Sequence, residues 1–244
     1  MAEPEREEDG KTIRSIERAF DVLSCFDRTA PQLSVTDLRK RLGLSRPTLY
    51  RILATLEGKG IVRSFGEPQR FELAHGASRL AANWIGSDDF IRAARPILRR
   101  LWQETDETVA LFVAGGDGDK ICIDELQSPQ ALTFTRGVGF SEKLGVGASG
   151  KSMLAFMPEG AADAGLAEVR RSGVCVSEGE IIEGAVAIAA PVFGRDGRVA
   201  GGLCLFGPEV RLNGARRKDC ITRVRTASVD ISQALGFRAA AAAE

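Results

Sequence analysis

The sequence predicts an α+β protein in which a small helical domain with a β-hairpin precedes a larger domain of strands and helices. Three observations predict this order. Apolar residues recur at helical spacing over residues 12–60. Two short strand-like stretches then flank a glycine- and proline-containing turn. From Thr108 onward, β-branched and aromatic stretches alternate with glycine turns, which indicates a sheet.

Three helices are expected first. Apolar residues at three- and four-residue steps predict a helix over residues 12–27. Ser34 and Asp37 have the spacing of a capping box for a second helix, and Gly43 provides a left-handed C-terminal stop. Ser45 caps the third helix after a turn of only two residues. Two short helices joined by a tight, glycine-containing turn are typical of a helix-turn-helix.

A β-hairpin and a linker are expected next. Residues 61–65 and 70–73 have strand character and flank a turn at residues 66–69, so they predict the wing of a winged helix-turn-helix. Helical spacing returns over residues 76–105, with a break at residues 87–89. The expected divisions are a disordered tail (1–11), the winged helix-turn-helix (12–75), the linker helix region (76–105), the larger domain (106–237) and a frayed tail (238–244).

The larger domain is expected to be built on a sheet. The predicted strands are residues 109–116, 120–126, 131–134, 174–179, 183–193 and 198–207. The predicted helices are residues 148–157, 159–170 and about 216–235. Strands and helices in this mixed order indicate an α+β domain.

Composition narrows the classes of function. Five scattered cysteines without a C-x-x-C spacing fit neither a disulfide framework nor a zinc site. The single histidine, His75, excludes a histidine metal cluster. We therefore expect no metal, no cofactor and no enzymatic activity. No apolar run is long enough to span a membrane and the N-terminus is charged, so a cytoplasmic protein without membrane contact is expected.

The charge distribution points to a polyanion. The formal net charge is zero, yet residues 11–85 carry 13 basic and 7 acidic residues. A small domain with a basic excess attracts nucleic acid, although a solvated basic surface is common.

The third helix carries the candidate DNA-reading residues. In a helix-turn-helix, the N-terminal residues of the second helix of the motif face base edges in the major groove. Leu49, Leu53 and Leu56 take the packing role here. The predicted DNA-contacting residues are Ser45, Arg46, Pro47, Thr48, Tyr50 and Arg51 on the helix, with Arg63 and Arg70 on the wing. Arginines and hydroxyls suit guanine edges and phosphates, so these residues favour DNA binding over a merely solvated surface.

From residue 12 to residue 236 the sequence resembles the IclR family of transcriptional regulators. The stretches that carry the resemblance are SIERAFDVLSCF, LSVTDLRKRLGLSRPTLYRILATLEGKGIVR, ASGKSMLAF, RRSGVCVSEGEIIEGAVAIAAPVF and GLCLFGPEVRL. The resemblance implies a winged helix-turn-helix, a linker helix and a C-terminal GAF-like α/β effector-binding domain. It also implies a homodimer or a dimer of dimers on double-stranded operator DNA. A repressor is favoured over an activator.

The resemblance further implies a pocket for a small organic acid between the sheet and the helix that starts at Ala148. Carried over one by one, its lining residues are Phe134, Ala148, Ser149, Ser177, Ala187, Cys204 and Phe206. The Ala148 and Ser149 amides would offer a carboxylate site at a helix N-terminus. The glyoxylate and pyruvate sensors of the family carry polar groups where this chain has Ala187, Cys204 and Phe206. The expected effector is therefore an aromatic or otherwise less polar carboxylate or amide.

Two alternatives stay open from the sequence. Residues 145–152, GVGASGKS, match the P-loop pattern of nucleotide-binding enzymes. Against this, residues 140–144 are too polar and too short for the buried parallel strand that precedes a P-loop. The second alternative is a sensory protein that acts by protein contact alone, which would leave the exposed arginines of the third helix without a role.

Overall fold

The computed structural model describes residues 13–27, 29–87, 89–116 and 118–238. The chain divides into two compact units, Met1–Ser87 and Asp88–Glu244. Apart from Arg238, the predicted tails at residues 1–11 and 238–244 lie outside the described residues, as does Asp88 within the predicted helix break.

In its described part, residues 13–27 and 29–87, the smaller unit contains four helices and one hairpin. Its helices are α1 (Arg14–Ser24), α2 (Val35–Leu42), α3 (Arg46–Gly58) and α4 (His75–Ser87), and its strands are β1 (Val62–Phe65) and β2 (Arg70–Leu73). The strands pair antiparallel, with Val62 opposite Leu73. The predicted three-helix arrangement and wing hairpin are confirmed.

The predicted helix signals of this unit act as expected. The Ser34 hydroxyl accepts from the Asp37 amide at 3.1 Å, and the Asp37 carboxylate accepts from the Ser34 amide at 3.0 Å. Gly43 ends α2 in the left-handed region, with φ at 67°. These signals are local in sequence, so they set the two ends of α2 without help from tertiary contacts.

One apolar cluster holds the smaller unit together. Each of its helices α1, α2 and α3 contributes to the cluster, and so do both strands. The most deeply buried members are Val22, Leu38, Leu49, Leu53, Val62 and Phe71. Each large apolar side chain that is buried in this way stabilises a fold by about 1.5–3 kcal/mol.

The larger unit is a six-stranded antiparallel sheet with helices. Its strands are β3 (Thr108–Ala114), β4 (Asp119–Leu126), β5 (Ser141–Lys143), β6 (Cys175–Glu178), β7 (Ala185–Phe193) and β8 (Val199–Pro208). Its helices are α5 (Asp89–Thr105), α6 (Gly147–Leu154), α7 (Ala167–Ser172) and α8 (Gly214–Ala234). The strand order is β5-β4-β3-β8-β7-β6. The predicted α+β class is confirmed.

Helices cover both faces of this sheet. A Cβ at Gly201 of β8 would lie 2.5 Å from the Phe90 ring of α5, whereas one at Gly202 would lie 3.0 Å from Met153 of α6. Consecutive strand residues point to opposite faces, so α5 and α6 lie on opposite sides of the sheet. The α6 side contains the cavity described below.

The prediction of a strand at residues 131–134 is wrong. These residues form a loop, and the edge strand that pairs with β4 is β5, three polar residues that the sequence did not mark as a strand. The backbone groups of this loop form hydrogen bonds with side chains instead of with a neighbouring strand. The Thr108 hydroxyl donates to the Phe134 carbonyl at 2.8 Å, and the Arg136 amide donates to the Glu125 carboxylate at 2.8 Å.

The helices predicted after Ala148 are shorter than expected. The first ends at Leu154, and residues 159–170 form two short 3₁₀ turns followed by α7. Gly160 explains the early end, because a Cβ there would lie 2.1 Å from the Leu154 carbonyl oxygen. The backbone turns back closely on α6 at this point.

Candidate functional site

The N-terminal turn of α3 forms an exposed polar surface on the smaller unit. Ser45 is the N-cap, and its hydroxyl lies 2.9 Å from the Thr48 hydroxyl and 3.4 Å from the Thr48 amide. The other four predicted reading residues, Arg46, Pro47, Tyr50 and Arg51, are exposed. Leu49 and Leu53 are buried on the opposite face, as the predicted packing role requires.

The two arginines predicted on the wing differ in their partners. Arg63 and Arg70 are both exposed. The Nε of Arg63 donates to the Glu72 carboxylate at 2.6 Å, which offsets part of its charge. Among the described residues, the single hydrogen bond of the Arg70 side chain is a long one, 3.5 Å, to the Gln32 carbonyl, although hydrogen bonds and, to a smaller extent, the charge of Arg70 lower the pKa of Asp37. Of the two, Arg70 is therefore the freer cation.

Sequence reasoning missed the residue that fastens the wing to the helix. Glu57, near the end of α3, accepts from both the amide and the hydroxyl of Ser64 in β1, at 2.9 and 2.7 Å. These two hydrogen bonds hold the pKa of Glu57 below its ordinary value, with the hydroxyl of Ser64 the larger cause. No local sequence signal pairs residues of a helix and a strand in this way.

A cavity lies between the sheet and the start of α6 in the larger unit. Its empty volume is about 490 Å³ when the solvent-open mouth is included. All seven predicted effector residues line it, namely Phe134, Ala148, Ser149, Ser177, Ala187, Cys204 and Phe206. The tertiary structure thus brings together residues from β6, β7, β8, α6 and the loop that precedes β5.

The cavity also contains four charged side chains that the sequence analysis missed: Lys120, Arg136, Glu142 and Glu180. Lys120 is only 1% exposed. Its ammonium donates to the Glu142 carboxylate at 3.0 Å and also to the Val146 carbonyl. The signal for Lys120 was present, since it stands two residues before the apolar Cys122 in β4 and so shares its face of the sheet.

The start of α6 is already capped from elsewhere in the fold. The Gly147 amide donates to the Glu180 carboxylate at 3.2 Å, and the Ala148 amide donates to the Ser177 hydroxyl at 3.2 Å. The Lys151 ammonium lies 2.7 Å from the same Glu180 carboxylate. The helix N-terminus, which favours an anion, therefore holds one from the chain itself.

The environment of Glu180 keeps it ionised. Partial burial raises its pKa, but the hydrogen bonds from Lys151 and Gly147 and the charges of Lys151 and Lys120 outweigh that effect. The pKa of Glu180 therefore lies below its ordinary value.

Two buried cysteines lie in or near the cavity: Cys204 lines it, and Cys122 belongs to the apolar cluster that also contains Cys204. Burial is the main cause that raises the pKa of both Cys122 and Cys204 to about 12. These thiols therefore stay neutral near pH 7 and behave as small apolar groups. All five cysteines are free and buried.

The P-loop-like segment uses its polar groups within the fold. The Ser152 hydroxyl is buried and donates to the Ser149 carbonyl at 2.9 Å, while Lys151 pairs with Glu180. A Cβ at Gly150 would lie 1.8 Å from the Leu144 carbonyl oxygen, so the glycine serves a close backbone approach. Within the described ranges, no group of His, Cys, Asp or Glu side chains could hold a metal ion.

Comparison with protein families gives two matches that together span most of the chain. Residues 15–64 match the IclR helix-turn-helix domain. Residues 82–165 and 163–233 match the C-terminal domain of the bacterial transcriptional regulator IclR.

Curated relatives match over nearly the full length. The chain is 27% identical to the HTH-type transcriptional regulator KdgR of Escherichia coli over 260 residues, covering 97% of this chain and 98% of KdgR. It is 25% identical to the regulator BhcR of Paracoccus denitrificans over 253 residues, covering 94% of this chain and 88% of BhcR.

Solved structures share the fold. An IclR transcriptional regulator from Alicyclobacillus acidocaldarius superposes with a TM-score of 0.82 at 23% identity, covering 92% of this chain and 100% of the other. An IclR homologue from Microbacterium hydrocarbonoxydans in complex with 4-hydroxybenzoate superposes with a TM-score of 0.75 at 21% identity, covering 91% of this chain and 98% of the other.

None of the described helices is both long enough and apolar enough to cross a membrane.

Proposed function

The chain belongs to the IclR family of DNA-binding transcriptional regulators, and we propose that it is a repressor released or retained by a small organic ligand. Its curated relatives are regulators and not enzymes. They lend no support to the nucleotide-binding alternative.

The exposed N-terminal turn of α3 is the main observation in support of a DNA-binding surface. Arg46 and Arg51 are exposed and stand on a helix whose other face is anchored by Leu49 and Leu53. We propose that these arginines, with Ser45, Pro47, Thr48 and Tyr50, read the major groove. Arg63 and Arg70 would then contact phosphates from the wing. A two-fold symmetric operator requires a homodimer or a dimer of dimers.

The cavity of the larger unit supports the ligand-binding role. Its wall contains Phe134, Phe206, Ala187 and the neutral Cys204 thiol, which together favour an apolar or aromatic body. This composition supports a ligand less polar than a 2-oxo acid. The fold neighbour from Microbacterium hydrocarbonoxydans was solved with 4-hydroxybenzoate, a ligand of that kind.

The test is a titration of the full chain against the DNA immediately upstream of its own gene, at fixed moderate salt with non-specific competitor DNA. We expect a protected, two-fold symmetric sequence. Uniform weak binding that disappears with added salt would overturn the proposed operator recognition. The same assay, repeated with 4-hydroxybenzoate, reports whether the ligand weakens or strengthens DNA binding, which separates release from retention. An unchanged affinity for DNA would contradict control by this ligand.

A further inference from the structure

The charges of the cavity do not all have partners. Lys120 is paired with Glu142, and Glu180 is paired with Lys151, which is not itself a lining residue. These two pairs cancel in charge, and they also occupy two positions at which an incoming anion could bind. One further charged side chain of the cavity wall, Arg136, lies outside both pairs.

Arg136 has no ion-pair partner among the residues that the structure describes. Its guanidinium lies over the Phe140 ring, 4.8 Å from the ring centroid, which leaves the N–H groups at its edge available. Burial is the main effect on the pKa of the lining residue Cys204 and raises it, whereas the charge of Arg136 acts in the opposite direction and lowers it. When Lys151 is counted with its partner Glu180, the two ion pairs cancel and the positive charge of Arg136 is left over.

The backbone beneath Arg136 is held in place independently of its side chain. One oxygen of the Glu125 carboxylate accepts from the Arg136 amide at 2.8 Å and from the Gly137 amide at 2.9 Å. The guanidinium thus stands on a turn that is bonded to β4. A cation on a pinned turn loses little freedom when it binds an anion.

We propose that Arg136 binds the carboxylate of an aromatic monoanion, whose ring lies against Phe134 and Phe206, while Glu180 continues to occupy the start of α6. This proposal rests on the proposed ligand-binding function and deepens it. It makes an arginine, rather than the Ala148 amide, the anchor of the carboxylate, because that amide already donates to Ser177. It also decides between a carboxylate and an amide, since a neutral amide would leave the guanidinium without a counter-charge.

The test uses the full chain, with calorimetric titration of 4-hydroxybenzoate and of its neutral counterpart 4-hydroxybenzamide. We expect the wild type to bind the carboxylate at least about tenfold more tightly than the amide, since a hydrogen bond to a charged group contributes about 1.5–3 kcal/mol. Arg136→Gln should weaken carboxylate binding by about tenfold or more and leave amide binding unchanged. Arg198→Gln, at an exposed arginine of the β7–β8 turn, is the matched control and should bind both as the wild type does.

Each contrary result has a definite meaning. Equal binding of carboxylate and amide by the wild type, or unchanged carboxylate binding by Arg136→Gln, overturns Arg136 as the anchor and leaves the ligand pocket standing. Tighter carboxylate binding by Glu180→Gln, with no effect of Arg136→Gln, would assign the anion to the start of α6 instead. If the wild type binds neither compound, both this proposal and the proposed aromatic ligand class fail, whereas operator binding is decided separately by the DNA titration. Thermal melting of Arg136→Gln should match the wild type, so a loss of binding is not a loss of folding.

Discussion

The two units of the molecule place their charged groups differently. Among the described residues, every buried charged or polar side chain belongs to the larger unit, including Glu107, Lys120 and Asp124. In the smaller unit the arginines of α3 and the wing face solvent.

The contrast follows from what each surface would bind. An exposed arginine keeps its hydration until it meets a phosphate, and it contributes to any polyanion contact with a strong salt dependence. A buried charge has to be compensated inside the fold, because an unpaired ion in the interior is strongly unfavourable. The larger unit accordingly pairs its buried charges, Glu107, Lys120 and Asp124, within the fold. The half-buried Arg136, which has no ion-pair partner among the described residues, is the group that we propose for ligand selectivity.

The largest effect is expected at α3. Replacing Arg46 and Arg51 together by alanine should weaken specific operator binding by about a hundredfold or more, since each base contact contributes about 1–3 kcal/mol. The free energy of unfolding in urea should not change, because both side chains are exposed. Fluorescence anisotropy of labelled operator DNA gives the affinity. The matched control replaces Arg171 and Arg198, two exposed arginines of the larger unit, by alanine. An equal loss in that control would mean that only total charge matters.

The next effect contrasts a buried ion pair with an exposed one. Glu107 is fully buried and bidentate to Arg211, with both N–O distances at 2.7 Å. Glu107→Gln should lower the free energy of unfolding by about 3 kcal/mol, because it leaves a largely buried guanidinium undercompensated. Glu72→Gln, which breaks the pair between the partly exposed Glu72 and the exposed Arg63, should lower the free energy of unfolding by less than about 1 kcal/mol. Similar losses for the two variants would refute the distinction between the units.

A smaller effect on stability is expected at Gly150 in α6. Gly150→Ala would bring a Cβ against the Leu144 carbonyl and should destabilise the larger unit by about 1–3 kcal/mol. Gly145→Ala is the control, since its nearest neighbour atom would be 3.9 Å away. Thermal melts of both variants measure this difference, and melts of the wild type with and without magnesium-ATP test the phosphate-loop pattern separately. We expect no nucleotide-dependent shift, and a rise that is lost in Lys151→Ala and Ser152→Ala would revive the enzyme alternative.

The smallest effect is a pH dependence at the start of α6. The pKa of Glu180 is lower in the folded state than its ordinary value of 4.5, so its ionised form stabilises the fold above that pH. This contribution is lost as the pH falls from about 4.5 through the lower folded value. Glu180→Gln should therefore show a shallower loss of stability over that acidic range, with the two proteins compared by urea unfolding at each pH. Parallel curves would show that Glu180 is not held by the helix start.

Local signals explain why the smaller unit was predictable. The Ser34–Asp37 capping box, the Gly43 stop and the Ser45 cap each involve residues within a few positions of one another. The resemblance to the IclR family also identified all seven predicted lining residues of a cavity whose walls come from distant parts of the chain. What it did not reveal were the charges, since Arg136 and Glu180 lie in loops whose sequences carry no periodic pattern.

By itself, the sequence determined the helix-turn-helix, the wing and the α+β class, because caps, turns and hydrophobic periodicity act over a few residues. The family followed from the resemblance of whole stretches of sequence to IclR regulators. Only the tertiary structure decided that residues 131–134 form a loop, that the Glu180 carboxylate caps α6, and that Arg136 is left without a partner among the described residues. Each of these outcomes depends on which side chains from distant parts of the sequence lie within hydrogen-bonding distance of a given backbone group or charge. That competition is settled by the packing of strands and loops, and no short stretch of sequence encodes it.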